Sequence, residues 1–332
     1  MKHLNKQRGI SLVEIMVAMV ISLFLLAGIV QVYTGNRATF SFTNALAEIQ
    51  ENGRFALDLM SQDLRLTSVW GCIEFDPDDT SNVNNTLDGG TVPGYDPDFH
   101  DFVGEDNISG TNGTGLNGSD RLTIRGGKTG QANVQSPFFA ATSNQIVTDE
   151  ITTIAAGDFV LIARCGANDL LIDEEADIQR VTASLPITGN TQRQLTFADT
   201  KSQQFENDAV VIELQTVNYF IANGASGEPA LFRQEFDGAA QELVEGVEEM
   251  QILYGVDTDN DEFPNQYQTA DAVGDFNDVV SVRISLLVRS VDDFVTEDAQ
   301  TYTFNGATVT PGDRRIRQTF SSTIALRNRI GS

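Results

Sequence analysis

The sequence predicts an α+β protein in which one long N-terminal helix lies on an antiparallel β-sheet head. From Ile10 to Val32 the chain is almost continuously apolar, and beyond it Phe42, Leu46, Ile49, Gly53, Ala56, Met60 and Leu64 recur at steps of three and four. That spacing is one face of a helix. Later segments alternate apolar and polar residues in short β-branched runs, the pattern of antiparallel strands with one wet face.

The first element is long enough to cross a membrane. Twenty-three helical residues, Ile10 to Val32, span about 35 Å. Lys2, Lys6 and Arg8 precede the span and no basic residue follows until Arg37, which places the N-terminus in the cytoplasm and the bulk outside. No convincing Ala-x-Ala site follows the apolar run, as a conventional secretory signal would require. The helix is expected from Ile10 to about Leu66, with Gly28, Gly35 and Gly53 as soft points, each costing up to ~1 kcal/mol relative to Ala. Glu14 is anomalous, because an unpaired charge in hydrocarbon costs on the order of 3 kcal/mol. It could snorkel to the interface or be paired with a cation.

Asp76 to Ser119 reads as loop, rich in Asp, Asn, Gly, Thr and Pro, with Tyr95, Phe99 and Phe102 as anchors. Strands are expected at 121–125, 158–164, 193–197, 209–222, 230–236, 250–256, 278–290 and 314–329. The text LVEG at 243–246 reads as a short turn or helix end.

Composition narrows the function. With 21 basic and 47 acidic residues the net charge is −26, which repels polyanions, so general nucleic-acid binding is not expected. The basic concentration of Arg314, Arg315, Arg317, Arg327 and Arg329 could meet phosphates or an acidic subunit, or pair with carboxylates of its own domain. His100 sits in a loop-like stretch, DPDFHDF, which leaves little for His-dependent catalysis. Neither GTNGTG nor RGGKTG matches a phosphate loop, and no Gly-x-Ser-x-Gly is present. No enzyme activity is expected. Trp70, beside Gly71 and Cys72, reads as a core or interface aromatic at the helix-to-sheet junction. If the body is exported, Cys72 and Cys165 are a natural disulfide pair. Asp257, Asp259 and Asp261 have the i, i+2, i+4 spacing that lets turn carboxylates converge on Ca²⁺. An EF-hand would need Gly and Glu where this chain has Glu262 and Gln268, so the choice is a non-EF calcium turn or a solvated acidic one. No other cofactor is expected.

The N-terminal text RGISLVEIM resembles the class III signal of type IV pilins, with Gly9, Ser11 and Glu14 in register and Ile10 where the family most often has Phe. The resemblance implies that a prepilin peptidase cuts after Gly9 and methylates the amine of Ile10. It also implies that Glu14 pairs with a neighbouring subunit's amine and sets axial register. ENGRFALDLMSQDLR with WGC, LVEGVEEMQILYGVDTD and TFSSTIALRNR are similar to the PilW family of type IV pilus minor pilins. The implied fold is type IV pilin-like. Residues 1–9 are then a leader, 10–33 the membrane and filament-core half of the helix, 34–67 its amphipathic half, and 68–332 a β-rich head with an insert at about 76–119. The implied role is assembly with other minor pilins and the major pilin into a tip complex that primes the pilus. Such a complex can carry a tip adhesin and support adhesion or twitching motility. The protein would reside in the inner membrane, head in the periplasm, and then at the pilus tip. A minor pseudopilin of type II secretion shares these features, and a membrane-tethered periplasmic hydrolase or binding protein is the reading from another class.

Overall fold

A computed structural model describes residues 11–65, 67, 83–85, 102–108, 116, 118–149, 154–165, 176–187, 189, 191–235 and 238–326. It divides into two units, Met1–Gln50 with Ser290–Arg317, and Glu51–Arg289 with Gln318–Ser332.

Helix α1 runs from Leu12 to Arg65. The expected stripe is buried at Ile49, Gly53, Ala56, Met60 and Leu64, whereas Phe42 is 40% exposed. Of the three glycines expected as soft points, one has a packing role. The helix passes unbroken through Gly28 and Gly35, and Gly53 is a site of close approach: a Cβ there would lie 2.4 Å from the Phe320 ring.

In the larger unit, β1 (Val83–Asn85) and β2 (Phe102–Glu105) fall inside the stretch read as loop. They are followed by β3 (Arg121–Gln135), β4 (Gln145–Asp149), β5 (Phe159–Arg164), β6 (Ala176–Pro186), β7 (Gln192–Phe197), β8 (Ala209–Asn223), β9 (Pro229–Glu235) and β10 (Gln241–Glu245). Here the antiparallel head goes beyond the expected sheet with one wet face. Antiparallel pairs β3–β4, β4–β7, β7–β6, β6–β5, β5–β8 and β8–β3 close a six-stranded ring. Its interior is filled by Val134, Ile146, Val160, Ile162, Leu195, Phe197 and Val211 with their neighbours, so the ring is a packed barrel. Closure removes edges that β4 and β7 would otherwise expose.

Strands β3 and β8 are long because each serves two structures. Their Gln131–Asn133 and Val210–Ile212 portions belong to the ring, while Leu122–Gly127 and Leu214–Tyr219 continue into an open sheet with β2, β9 and β10. The register shifts between Gly127 and Gln131, and Gly130 has φ +116°. The glycines of RGGKTG therefore make a bulge where β3 leaves the barrel. Lys128 pairs there with Glu213 at 2.5 Å.

A second sheet has the order β12-β11-β13-β16, from β11 (Val247–Val256), β12 (Gln266–Gln268), β13 (Val279–Arg289) and β16 (Arg317–Ala325). The LVEG text is not a helix end. It closes β10, and Gly246, at φ +86°, turns directly into β11. Strand β13 departs from the expected one wet face: Val279–Val282 and Leu286–Val288 are buried at consecutive positions, hence on both faces.

In the smaller unit, Ser290–Arg317 carries the hairpin β14 (Tyr302–Phe304) and β15 (Ala307–Val309), turned at Asn305-Gly306 with φ of 46° and 73°. Ser290 N donates to Ile316 O at 2.9 Å, closing the base of this excursion.

Candidate assembly site

The N-terminal half of α1 is an apolar surface. Leu12, Val13, Met16, Phe24, Leu25 and Ile29 are among its exposed side chains, and no residue of its most apolar stretch is buried. Its hydroxyls bond back to the helix: Ser22 to Ala18 O at 2.8 Å, Thr34 to Val30 O at 3.0 Å, and Thr39 to Gly35 O at 3.0 Å. Such back-bonding satisfies polar groups where a bilayer offers no water. Glu14 stands alone as a charge between Leu12 and Asn36, in the helix's first turn, and no cation among the described residues pairs with it. Gly9, Ile10, Trp70, Cys72, His100, Arg327 and Arg329 lie outside the described residues.

The other half of the helix is fixed to the head by polar contacts that the apolar stripe does not reveal. Asp63 Oδ2 accepts the buried Tyr219 hydroxyl at 2.6 Å and Arg233 Nε at 3.0 Å. Arg233 also binds Glu235 at 2.6 Å. Burial first, and then the Asp63 charge, hold the Tyr219 phenol well above its ordinary range. Immediately before Gly53, Asn52 Nδ2 donates to Glu245 O at 3.2 Å.

The two sheets are joined through Ser119 and Asp120. Asp120 N donates to Met250 O at 2.9 Å; its carboxylate accepts Asn107 N at 3.0 Å and Ile252 N at 2.7 Å. Ser119 Oγ accepts Met250 N at 3.0 Å. Burial pushes Asp120 up to about 6, the two N–H donors oppose this, and Asp106 and Asp271 reinforce it. Asp106 in turn accepts Ala270 N and Asp271 N, each at 3.0 Å. Gly104 is obligatory at this joint, because a Cβ would lie 1.9 Å from the Tyr254 hydroxyl oxygen.

Asp257, Asp259 and Asp261 do converge, with ligand atoms within 4.8 Å of one another. Asp257, however, is committed to the backbone: Oδ1 accepts the N–H groups of Asp259, Asn260 and Asp261, and Oδ2 that of Glu262 at 2.7 Å. Burial would raise its pKa, but these four donors together hold it below the ordinary carboxylate value. The geometry is that of a self-capped acidic turn.

The arginines expected on one strand are corrected. Arg314 and Arg315 precede β16, and Arg317 begins it. Arg317 forks onto both oxygens of Asp313 at 2.7 and 2.8 Å, Arg314 stacks 4.2 Å over Phe294, and Arg315 donates to Ser290 O and Val291 O. All three brace the excursion that carries β14 and β15. Cys165 is half-buried just after β5 against the Leu161–Ile178–Ile212 cluster, and there is no free cysteine among the described residues.

One buried cation had no signal in the sequence. Lys201 donates to Ala140 O, Ser143 O and Gln145 O at 3.2, 2.7 and 2.9 Å, and burial lowers its pKa against the opposing pull of Asp177. It staples the approach to β4.

An apolar N-terminal helix whose basal half docks on an antiparallel head defines the class: a pilin-like α+β protein. Residues 218–328 match the family model for Type IV Pilus-assembly protein W, and residues 4–30 match the prokaryotic N-terminal methylation motif. Together these matches make the chain similar to PilW over its C-terminal third and to pilin signals at its N-terminus, and they support a pilin-like protein related to the type IV pilus and its machinery. Domains of this family are structural. The signal and the apolar helix indicate membrane anchoring. The first family match begins near the end of β8, so the barrel up to that point lies outside both matched segments. Neither curated proteins nor solved structures match the chain.

Proposed function

We propose that this protein is cut after Gly9, methylated on the amine of Ile10, and assembled with other minor pilins into a complex that primes the type IV pilus and remains at its tip. In this reading residues 10–33 first hold it in the inner membrane with the head in the periplasm, and 34–67 anchor the head. A prepilin peptidase, the major pilin and a tip adhesin are the further partners. The observation that carries the reading is Glu14: one exposed carboxylate, with no cation paired to it among the described residues, at the start of an apolar helix. In hydrocarbon such a group demands a partner, and the methylated amine of an adjacent subunit is a cation of suitable reach. The test is Glu14→Ala, which should leave the protein in the membrane and lower its recovery in sheared filaments. Unchanged recovery would defeat the register role.

A further inference from the structure

Sheet edges reveal where a fold guards against unwanted pairing. Edge strand β10 carries Glu242 and Glu245; β2 is four residues long and carries Glu105; β12 is three residues long. Strand β16 has none of these guards. It is nine residues long, and after Arg317 its run QTFSSTIA holds no charge and no proline in a chain with 47 acidic residues. Nothing pairs with its far side among the described residues.

The direction of its unused groups follows from register. Leu326 N donates to Val280 O at 2.9 Å, Arg283 Nε reaches Thr323 Oγ1 at 3.2 Å, and the hydroxyls of Ser285 and Ser321 are 3.1 Å apart. These three matches run in antiparallel order. Residues in phase with Leu326, namely Ser322 and Ile324, turn their N–H and C=O groups to β13; Thr319, Ser321, Thr323 and Ala325 turn theirs outward. All four are exposed.

Beside this edge lies an open groove of about 590 Å³, lined by Ser321 and Ser322 and by Arg54, Phe55, Asp58 and Arg65 of α1. Phe55 is 53% exposed. Asp58 accepts Gln62 Nε2 at 2.9 Å, while no ion pair engages either arginine among the described residues. Arg54 and Arg65 lie eleven residues apart, about 16 Å along the helix, the length of about five residues of extended chain. In a chain of net charge −26 this is an uncommitted basic margin along an unguarded edge.

We propose that β16 is a pairing edge: it accepts an extended, carboxylate-bearing segment of a neighbouring pilus subunit as an added strand, with Arg54 and Arg65 meeting the carboxylates and Phe55 covering an apolar side chain. Main-chain bonds supply affinity and the groove selects the partner. The inference rests on the minor-pilin reading above.

Ser321→Pro removes an outward N–H from an edge, where proline is tolerated, so the melting temperature should hold. Ser322→Pro removes an inward donor and should destabilise the head. Full-length protein is followed in the membrane and in sheared filaments, with a photocrosslinker at Thr323. Ser321→Pro and the double variant Arg54→Glu, Arg65→Glu should each lower recovery in filaments about tenfold at unchanged membrane level, and the crosslink should capture a different pilus subunit. If Ser321→Pro melts early, the helix-surface double variant decides alone. Wild-type recovery by both variants, or a crosslink to a second copy of this chain, overturns the pairing edge. Wild-type protein absent from filaments overturns the minor-pilin reading and the edge with it.

Discussion

Tyr219 donates its buried hydroxyl to Asp63, 156 residues earlier in the chain, at 2.6 Å. Arg233 converges on the same carboxylate oxygen at 3.0 Å, so a single acidic side chain ties the helix to two adjacent strands of the head. Truncating it strands the buried Tyr219 hydroxyl and leaves the half-buried Arg233 with Glu235 alone. Asp63→Ala is expected to destabilise the head by about 3 kcal/mol, whereas Tyr219→Phe, which removes one donor and leaves the ion pair, should cost about 1 kcal/mol. Urea denaturation of the detergent-solubilised protein measures both.

Gly53 makes a separate prediction. Alanine improves helix propensity by up to ~1 kcal/mol, but a Cβ at this position would lie 2.4 Å from the Phe320 ring. Gly53→Ala should therefore lower the melting temperature, while Gly28→Ala, with open space around it, should not. Combining Gly53→Ala with Phe320→Ala should cost less than the sum of the two, which a double-mutant cycle reads directly.

Asp120 is a pH marker for the joint between the sheets. Its folded pKa of about 6 lies above the ordinary 3.8, so the folded state holds the proton more tightly than the unfolded state does. This group's ionisation penalty is therefore complete above pH about 6 and is relieved as pH falls from there through 3.8, on the order of 3 kcal/mol in all. A plot of stability against pH for wild type minus Asp120→Asn should slope down with rising pH in that window. A flat difference plot would show an ordinary carboxylate.

The acidic turn is expected to behave as a backbone cap. Asp257→Ala frees four N–H groups and should raise amide exchange at Asp259 to Glu262. Because the folded pKa is depressed, the stabilisation is present above the unfolded value and fades as pH falls through the folded one. Millimolar Ca²⁺ should leave the melting temperature unchanged. A calcium-dependent rise lost in Asp259→Ala would instead assign the converging carboxylates to a metal.

A Cys72–Cys165 bridge would close a long loop and in the chain-entropy model stabilise the head by roughly 4–5 kcal/mol. Intact mass measured with and without reductant should differ by two hydrogens. Equal masses would leave both thiols free.

Local chemistry was legible and long-range closure was not. The stripe from Ile49 to Leu64 follows from a 3.6-residue period, and β8, β9 and β13 announce themselves through β-branched runs. The barrel depends on pairings such as Ile146 with Leu195 and Leu161 with Ile212, which no local pattern encodes. Strand β6, ADIQRVTASLP, escaped notice because polar residues interrupt it, although Asp177 and Gln179 are buried and hydrogen-bonded. Gly53 read as weakness because a glycine's neighbours are invisible in sequence. The N-terminal methylation motif was legible since its meaning lies in spacing along one segment, whereas Asp63 owes its role to Tyr219 and Arg233, far away in the chain.

The most direct test of the central claim is mass spectrometry of the N-terminal peptide of this protein recovered from sheared filaments. The account predicts a chain that begins at N-methylated Ile10. A chain beginning at Met1, or one cut beyond the apolar run and missing from filaments, would contradict it.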